Sequence, residues 1–260
     1  MKKVGIIDKK SLVDNPTTRV PICLCLDISG SMKRIIGGKY KKTGKTIKRD
    51  GKEWDLAEGG ITLMSKLKEG YEAFCSAIKN DPIARYSADV AVIVFGDTAK
   101  ILQNFKTLDD TQVSLNLKPS GETAMAEAVN MALDMLENRK EQYKDCGIDY
   151  WQPWLVLMTD GKPQDPRDPK GIELKRAITR TVSLVKNKKL TIFPIGVWED
   201  ADMKVLKKFS PAKTPLKLKG SNFKEFFVWL SKSVNQISNS SLGADVKLDL
   251  EGIKEWAEIT

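Results

Sequence analysis

Three short runs in this chain are apolar almost without interruption: Val20–Leu26, Ala88–Phe95 and Trp154–Met158. Each is short for a helix, and none alternates apolar with polar residues. Such runs suit strands buried on both faces, as found where helices cover both sides of a mostly parallel sheet. Helical spacing fills the intervals. Leu56–Ile78 repeats apolar residues every three or four positions, and Thr123–Leu136 puts Met125, Val129, Ala132, Leu133 and Leu136 on one face. Gly171–Lys186, Asp202–Phe209 and Phe223–Ile237 read as further helices. Strands are expected at Leu190–Gly196 and Pro215–Lys219, with Lys100–Phe105 returning beside Ala88–Phe95. The alternation predicts an α/β fold: a mostly parallel central sheet, one antiparallel edge strand, and helices on both faces.

Absent residue types narrow the chemistry. The 260 residues contain no histidine, so neither a Ser-His-Asp nor a Cys-His arrangement can be built, and H-E-x-x-H is excluded. Any general base would be a carboxylate, Lys, Tyr or Cys. The four cysteines show no C-x-x-C spacing and read as buried free thiols. No run approaches the roughly 18 apolar residues of a membrane span. The opening MKKVGIIDKK is interrupted by Asp8 after four apolar residues, too few for a secretory signal. A cytoplasmic, non-enzymatic protein with no membrane partner is the expectation.

In an open α/β sheet, ligands gather beyond the carboxyl ends of the strands. There the first strand runs into Asp27-Ile28-Ser29-Gly30-Ser31, the loop PSGETAM opens a helix at Thr123, and Trp154–Met158 runs into Thr159-Asp160-Gly161. A nucleophilic serine lacks its histidine. A phosphate cradle would need G-x-x-x-x-G-K-[ST], which Ser29-Gly30-Ser31-Met32-Lys33 does not match. Hydrolysis through an aspartyl nucleophile would want a second acid where Ser29 stands. Two carboxylates and three hydroxyls instead suit a hard cation, which takes oxygen ligands. The plainer roles are capping by Ser29, Ser31 and Thr123, and turn formation by Asp160; Asp97 and Asp165 read as turn formers.

D-x-S-x-S after the first strand, a Thr in a G-x-T loop and T-D-G after a later strand together resemble a von Willebrand factor A (vWA) domain. The resemblance spans residues 19–237, leaving 1–18 as an N-terminal extension and 238–260 as a C-terminal tail. It implies a Rossmann-like three-layer fold with a metal-ion-dependent adhesion site. Asp27, Ser29, Ser31, Thr123 and Asp160 would hold Mg²⁺, with Mn²⁺ or Ca²⁺ as alternatives, and an acidic residue of a partner protein would complete the coordination. VPICLCLDISGSM, LKPSGETAMAEAV and LMTDGKPQD are similar to the bacterial TerY-type branch. That likeness implies a stress-response, tellurium-resistance or defence setting, with a protein kinase or PP2C-type phosphatase as partner.

One stretch departs from the compact pattern of that family. KRIIGGKYKKTGKTIKRDGK, residues 33–52, holds nine Lys and Arg against the single acid Asp50, in a chain of net charge +9. Turns around Gly37-Gly38 and Thr43-Gly44 predict an inserted basic β-hairpin. Lys41, Lys42, Lys45, Lys48 and Arg49 are its candidate partner-binding residues. The alternative function is therefore nucleic-acid binding through this hairpin; a metal-dependent hydrolase is the third reading.

Overall fold

The computed structural model describes residues 12, 14–49, 52–108, 117–211, 214–241 and 252–259. At its centre lies Val20–Asp27 (β1), all eight residues buried. Ala88–Phe95 (β4) pairs with it in parallel on one side and Trp154–Thr159 (β6) on the other. Thr191–Val197 (β7) and Leu216–Leu218 (β8) continue the parallel order. Ala99–Thr107 (β5) flanks the sheet antiparallel to β4, giving the order β5-β4-β1-β6-β7-β8 for these strands.

The pleat sends alternate residues of β1 into two different cores. Val20, Ile22, Leu24 and Leu26 pack with helices Leu63–Asn80 (α1) and Phe223–Ser238 (α6). Cys23 and Cys25 join the opposite core beneath Met125–Asp145 (α3), Ile172–Lys186 (α4) and Met203–Phe209 (α5). This is the three-layer α/β arrangement expected of the sequence. The cysteines are free thiols, and burial pushes the Cys25 thiol well above its ordinary range, with Cys23 beside it adding to the effect. Two short α-helices, Ala84–Ser87 (α2) and Ile253–Trp256 (α7), are also described.

The last residues bring a second antiparallel edge strand, Ala257–Ile259 (β9), which pairs with β8. The sequence places 252–259 in the tail, yet Trp256 packs against Phe226 and Trp229 in the core. Three residues are too few to carry a periodicity, so β9 leaves no trace in the pattern.

The helix expected from Leu56 begins instead at Leu63, and the hairpin expected over 33–52 extends to Thr62. Its strands are Ile35–Arg49 (β2) and Lys52–Thr62 (β3). Gly59 and Gly60 adopt positive φ, which a helix does not accommodate. Thr62 then starts α1 with a reciprocal cap: its hydroxyl accepts from Ser65 N at 3.1 Å, and Ser65 Oγ accepts from Thr62 N at 2.9 Å. Gly37-Gly38 and Thr43-Gly44 are not turns but irregularities within β2, where the register shifts. Asp50 and Gly51 lie outside the described residues.

Asp89 breaks the apolar run of β4 and is fully buried. Arg139 of α3 donates to it through Nε at 2.7 Å, and the Tyr143 hydroxyl donates to the same oxygen. Burial and the adjacent carboxylate both push the Tyr143 phenol above its usual range. Removing one partner of such a pair strands the other charge, so Arg139→Met should lower the unfolding free energy by about 3–5 kcal/mol. Adding Asp89→Asn should recover part of that loss in urea denaturation.

Close helix packing gives a second test. A Cβ on Gly70 of α1 would stand 2.8 Å from the Phe227 ring and 3.0 Å from the Phe223 backbone of α6. Gly70→Ala gains roughly 1 kcal/mol of helix propensity but overpacks this crossing by about 1–3 kcal/mol. A net loss of stability in urea denaturation is the expected outcome.

Candidate functional site

Because β4, β1 and β6 run parallel, Phe95, Asp27 and Thr159 end them at one edge of the sheet. Backbone hydrogen bonds tie the loops together there. Ile28 N donates to Phe95 O at 2.8 Å, Ser120 N to Ile28 O at 2.9 Å, Gly30 N to Gly121 O at 3.0 Å, and Ala124 N to Gly96 O at 2.8 Å. The PSGETAM loop is thereby pulled over the ends of β1 and β4.

Asp27, 1% exposed, is held on both oxygens. Oδ1 accepts from Ser29 N at 2.7 Å, and Oδ2 accepts from the Thr159 hydroxyl at 2.6 Å. The hydroxyls of Ser29 and Ser31 are 2.8 Å apart, and Ser31 donates to Asp160 Oδ1 at 2.7 Å. Ser29 and Asp160 are buried, at 0% and 2% exposure, and Ser31 is half-buried. Asp27, Ser29, Ser31 and Asp160 thus belong to one hydrogen-bonded chain.

Thr123 arrives from the other side. It exchanges two backbone hydrogen bonds with Gln164, at 2.9 and 3.2 Å, in the loop after Asp160. Its hydroxyl lies 3.7 Å from where a Cβ would stand on Gly161. All five residues expected from sequence therefore converge on one edge.

The capping roles do not appear. Ser29 precedes a single 3-10 turn, Gly30–Lys33, without a side-chain cap, and α3 starts after Ala124 with none either. The Ser29 and Ser31 hydroxyls instead engage each other and Asp160. Among the described residues no three His, Cys, Asp or Glu side chains group to hold a metal. A cation here would depend on hydroxyls, and the donor set, all oxygen, fits a hard divalent ion.

The surrounding loops show supports that the motifs do not reveal. Thr159, the first residue of T-D-G, orients Asp27, a role the motif alone did not assign to it. Asp97 Oδ1 accepts from Glu122 N at 2.9 Å, so Asp97 braces a neighbouring loop as well as lying in its own turn. Asp165 does shape its turn, accepting from Arg167 N at 2.9 Å. The Arg167 guanidinium holds the Asp165 carboxyl below its usual range and also reaches Glu127 on α3 at 2.8 Å.

The basic hairpin proves less one-sided than residues 33–52 suggest, because β3 supplies Glu53, Asp55 and Glu58. Lys42 pairs with Asp55 at 2.5 Å, while Lys41 and Lys48 lie opposite Glu58 and Glu53. Lys45 sits in the irregular stretch between Lys42 and Thr46. The Arg49 side chain lies outside the described residues. Adjacent Lys41 and Lys42 point to opposite faces of the ribbon, so the lysines do not line a single face.

Residues 63–236, well over half of the chain, match the von Willebrand factor type A domain family. The chain belongs to that family. The matched stretch begins at the first residue of α1, so the inserted hairpin separates it from β1 and its D-x-S-x-S, which the vWA fold nonetheless places at the centre of the sheet. Among solved structures, a von Willebrand factor type A protein from Catenulispora acidiphila has TM-score 0.55 and 17% identity, over 84% of this chain and 43% of that one. The PilB minor pilin from Streptococcus sanguinis has TM-score 0.52 and 15% identity, over 84% and 62%. The vWF domain of a type V pili tip protein from Porphyromonas gingivalis has TM-score 0.55 and 14% identity, over 88% and 99%. This vWA chain thus spans less than two thirds of the first two proteins. Likeness at these identities speaks for the fold. A search of curated protein sequences finds no match to the chain.

Gly121 offers a test of the loop that delivers Thr123. Its φ is +80°, and a Cβ would lie 2.3 Å from the Asp97 carboxylate. Left-handed backbone alone costs an L-residue roughly 1–2 kcal/mol, so Gly121→Ala should destabilise by at least about that amount in urea denaturation.

Proposed function

We propose that the chain is a non-catalytic, metal-dependent protein-binding vWA domain. The observation that carries this reading is the run of hydrogen bonds that ties Asp27 to Ser29 through its backbone N–H, and Ser29 through its hydroxyl to Ser31 and on to Asp160, with Thr123 beside it. Asp27, Ser29, Ser31, Thr123 and Asp160 would hold Mg²⁺, or Mn²⁺ or Ca²⁺ in its place. Such an ion supplies an electrophilic site for a carboxylate oxygen of a partner protein. The protein's own part is to keep the oxygens fixed: Ser29 N and Thr159 orient Asp27, and Ser31 orients Asp160. Short, stiffly placed hydroxyls bring no charge, which leaves room for an acidic residue from outside.

The finer setting rests on the sequence motifs: a TerY-type protein of a bacterial stress-response, tellurium-resistance or defence system, with a protein kinase or PP2C-type phosphatase as partner. No helix among the described residues is long and apolar enough to cross a membrane. The charge pairs within the hairpin favour a protein partner over a tracked phosphate backbone, which would call for an unbroken basic strip.

Linkage gives the test. Mg²⁺ at about a hundred times its Kd adds roughly 2.7 kcal/mol to native stability, which for a chain of this size raises Tm by about 5–10 °C. EDTA should reverse the rise, and Asp27→Asn and Ser31→Ala should abolish it while remaining folded. No metal-dependent shift in the wild-type protein would sink the proposal. Capture of a binding partner should follow the same pattern.

A further inference from the structure

Arg34 stands three residues beyond Ser31, where the chain leaves the site for the hairpin. Its guanidinium lies 4.9 Å from the ring centroid of Trp54 on β3 and 5.7 Å from that of Trp198, just past the end of β7. One nitrogen, Nη2, pairs with Asp200. In the sheet, β6 lies between β1 and β7. The bridge from Arg34 to Asp200 therefore joins the two loops that flank the loop of Asp160.

Three features mark this cation as more than a strut. Its side chain is only 15% exposed, whereas that of Asp200 is 45% exposed. A desolvated guanidinium gains more from an anion than a hydrated one, and an exposed carboxylate exchanges readily. The fork is also underused: a guanidinium has five N–H donors, Nε is buried without an acceptor, and the bond given to Asp200 engages only Nη2. Finally, Trp198 holds its ring against Arg34 from a backbone at φ +69°, a left-handed conformation that is costly for so bulky a residue. Strain of this kind persists where the surroundings impose it and gathers at binding sites.

We propose that Arg34 is a second carboxylate-binding residue of this site, occupied in the free chain by Asp200 as an internal surrogate. The incoming group is an acidic residue of a partner protein. Trp54 and Trp198 fix the plane of the fork, and the partner's carboxylate displaces Asp200 from it. The proposal rests on the reading of the edge as a site for acidic partners, but it does not require the metal. It also gives the hairpin a purpose: Trp54 reaches back from β3 to orient the guanidinium.

The experiment measures binding of a fluorescein-labelled oligo-aspartate peptide to the full chain by anisotropy, in Mg²⁺ and again in EDTA. Wild type, Arg34→Gln, Arg34→Lys and Asp200→Asn are compared. Arg34→Gln should weaken binding about tenfold, and Arg34→Lys should restore little, because lysine has no fork. Asp200→Asn should tighten binding by at least about threefold, since the competitor loses its charge. Were Arg34 and Asp200 only holding the hairpin in place, both substitutions would weaken binding. Opposite signs support the proposal. Equal binding by wild type and Arg34→Gln, weaker binding by Asp200→Asn, or no binding by either wild type or Asp200→Asn would overturn it. The EDTA arm separates the two readings. Equal wild-type binding in Mg²⁺ and in EDTA, with the Arg34 and Asp200 differences retained, counts against the metal alone.

Discussion

A strand with neighbours on both sides and helices over both faces has nowhere along its length to present chemistry to solvent. β1 is such a strand, and every one of its eight residues is buried. Its side chains are committed alternately to two apolar cores, so polar function is confined to the point where the strand stops. The parallel partners β4 and β6 stop at the same level, and their loops must share the space beyond. The clustering of Asp27, Ser29, Ser31, Thr123 and Asp160 follows from this burial.

What the sequence reveals divides along the same line. Continuous apolar runs named β1, β4 and β6, and two strand ends with one helix-opening loop named the five oxygen-bearing residues, because those features depend on local pattern. Contacts set by tertiary approach left no local mark. Thr159 looks like any strand-terminal threonine, yet it fixes Asp27. Asp97 looks like a turn residue and also supports Glu122 in a different loop. Leu56 and Ile61 fell in helical register with α1, but Gly59 and Gly60 keep them in β3. Arg34 was one cation among nine; only the fold brings Trp54 and Trp198 to its faces.

The hairpin shows how counting charges can mislead when an element's limits are misplaced. Read to residue 52, it is nearly all basic. Read to Thr62, its second strand returns three acids: Glu53 and Glu58 opposite Lys48 and Lys41, and Asp55 paired with Lys42. Exposed pairs of this sort contribute little to stability. Their effect is on the field, which becomes a mosaic of both signs and favours a partner with its own pattern of charge.

The insertion also leaves and re-enters the domain at a single place. Leu63 N donates to Arg34 O at 3.1 Å, and Ile35 pairs with Thr62. The chain between these points is a local ribbon that can zip without waiting for any distant segment. Once it has closed, β1 and α1 are separated by a contact rather than by a loop of its full contour length. The entropic cost of bringing β1 against β4 is then close to that of a chain lacking the ribbon. An element that lengthens the sequence by an eighth or so should accordingly burden the folding rate very little.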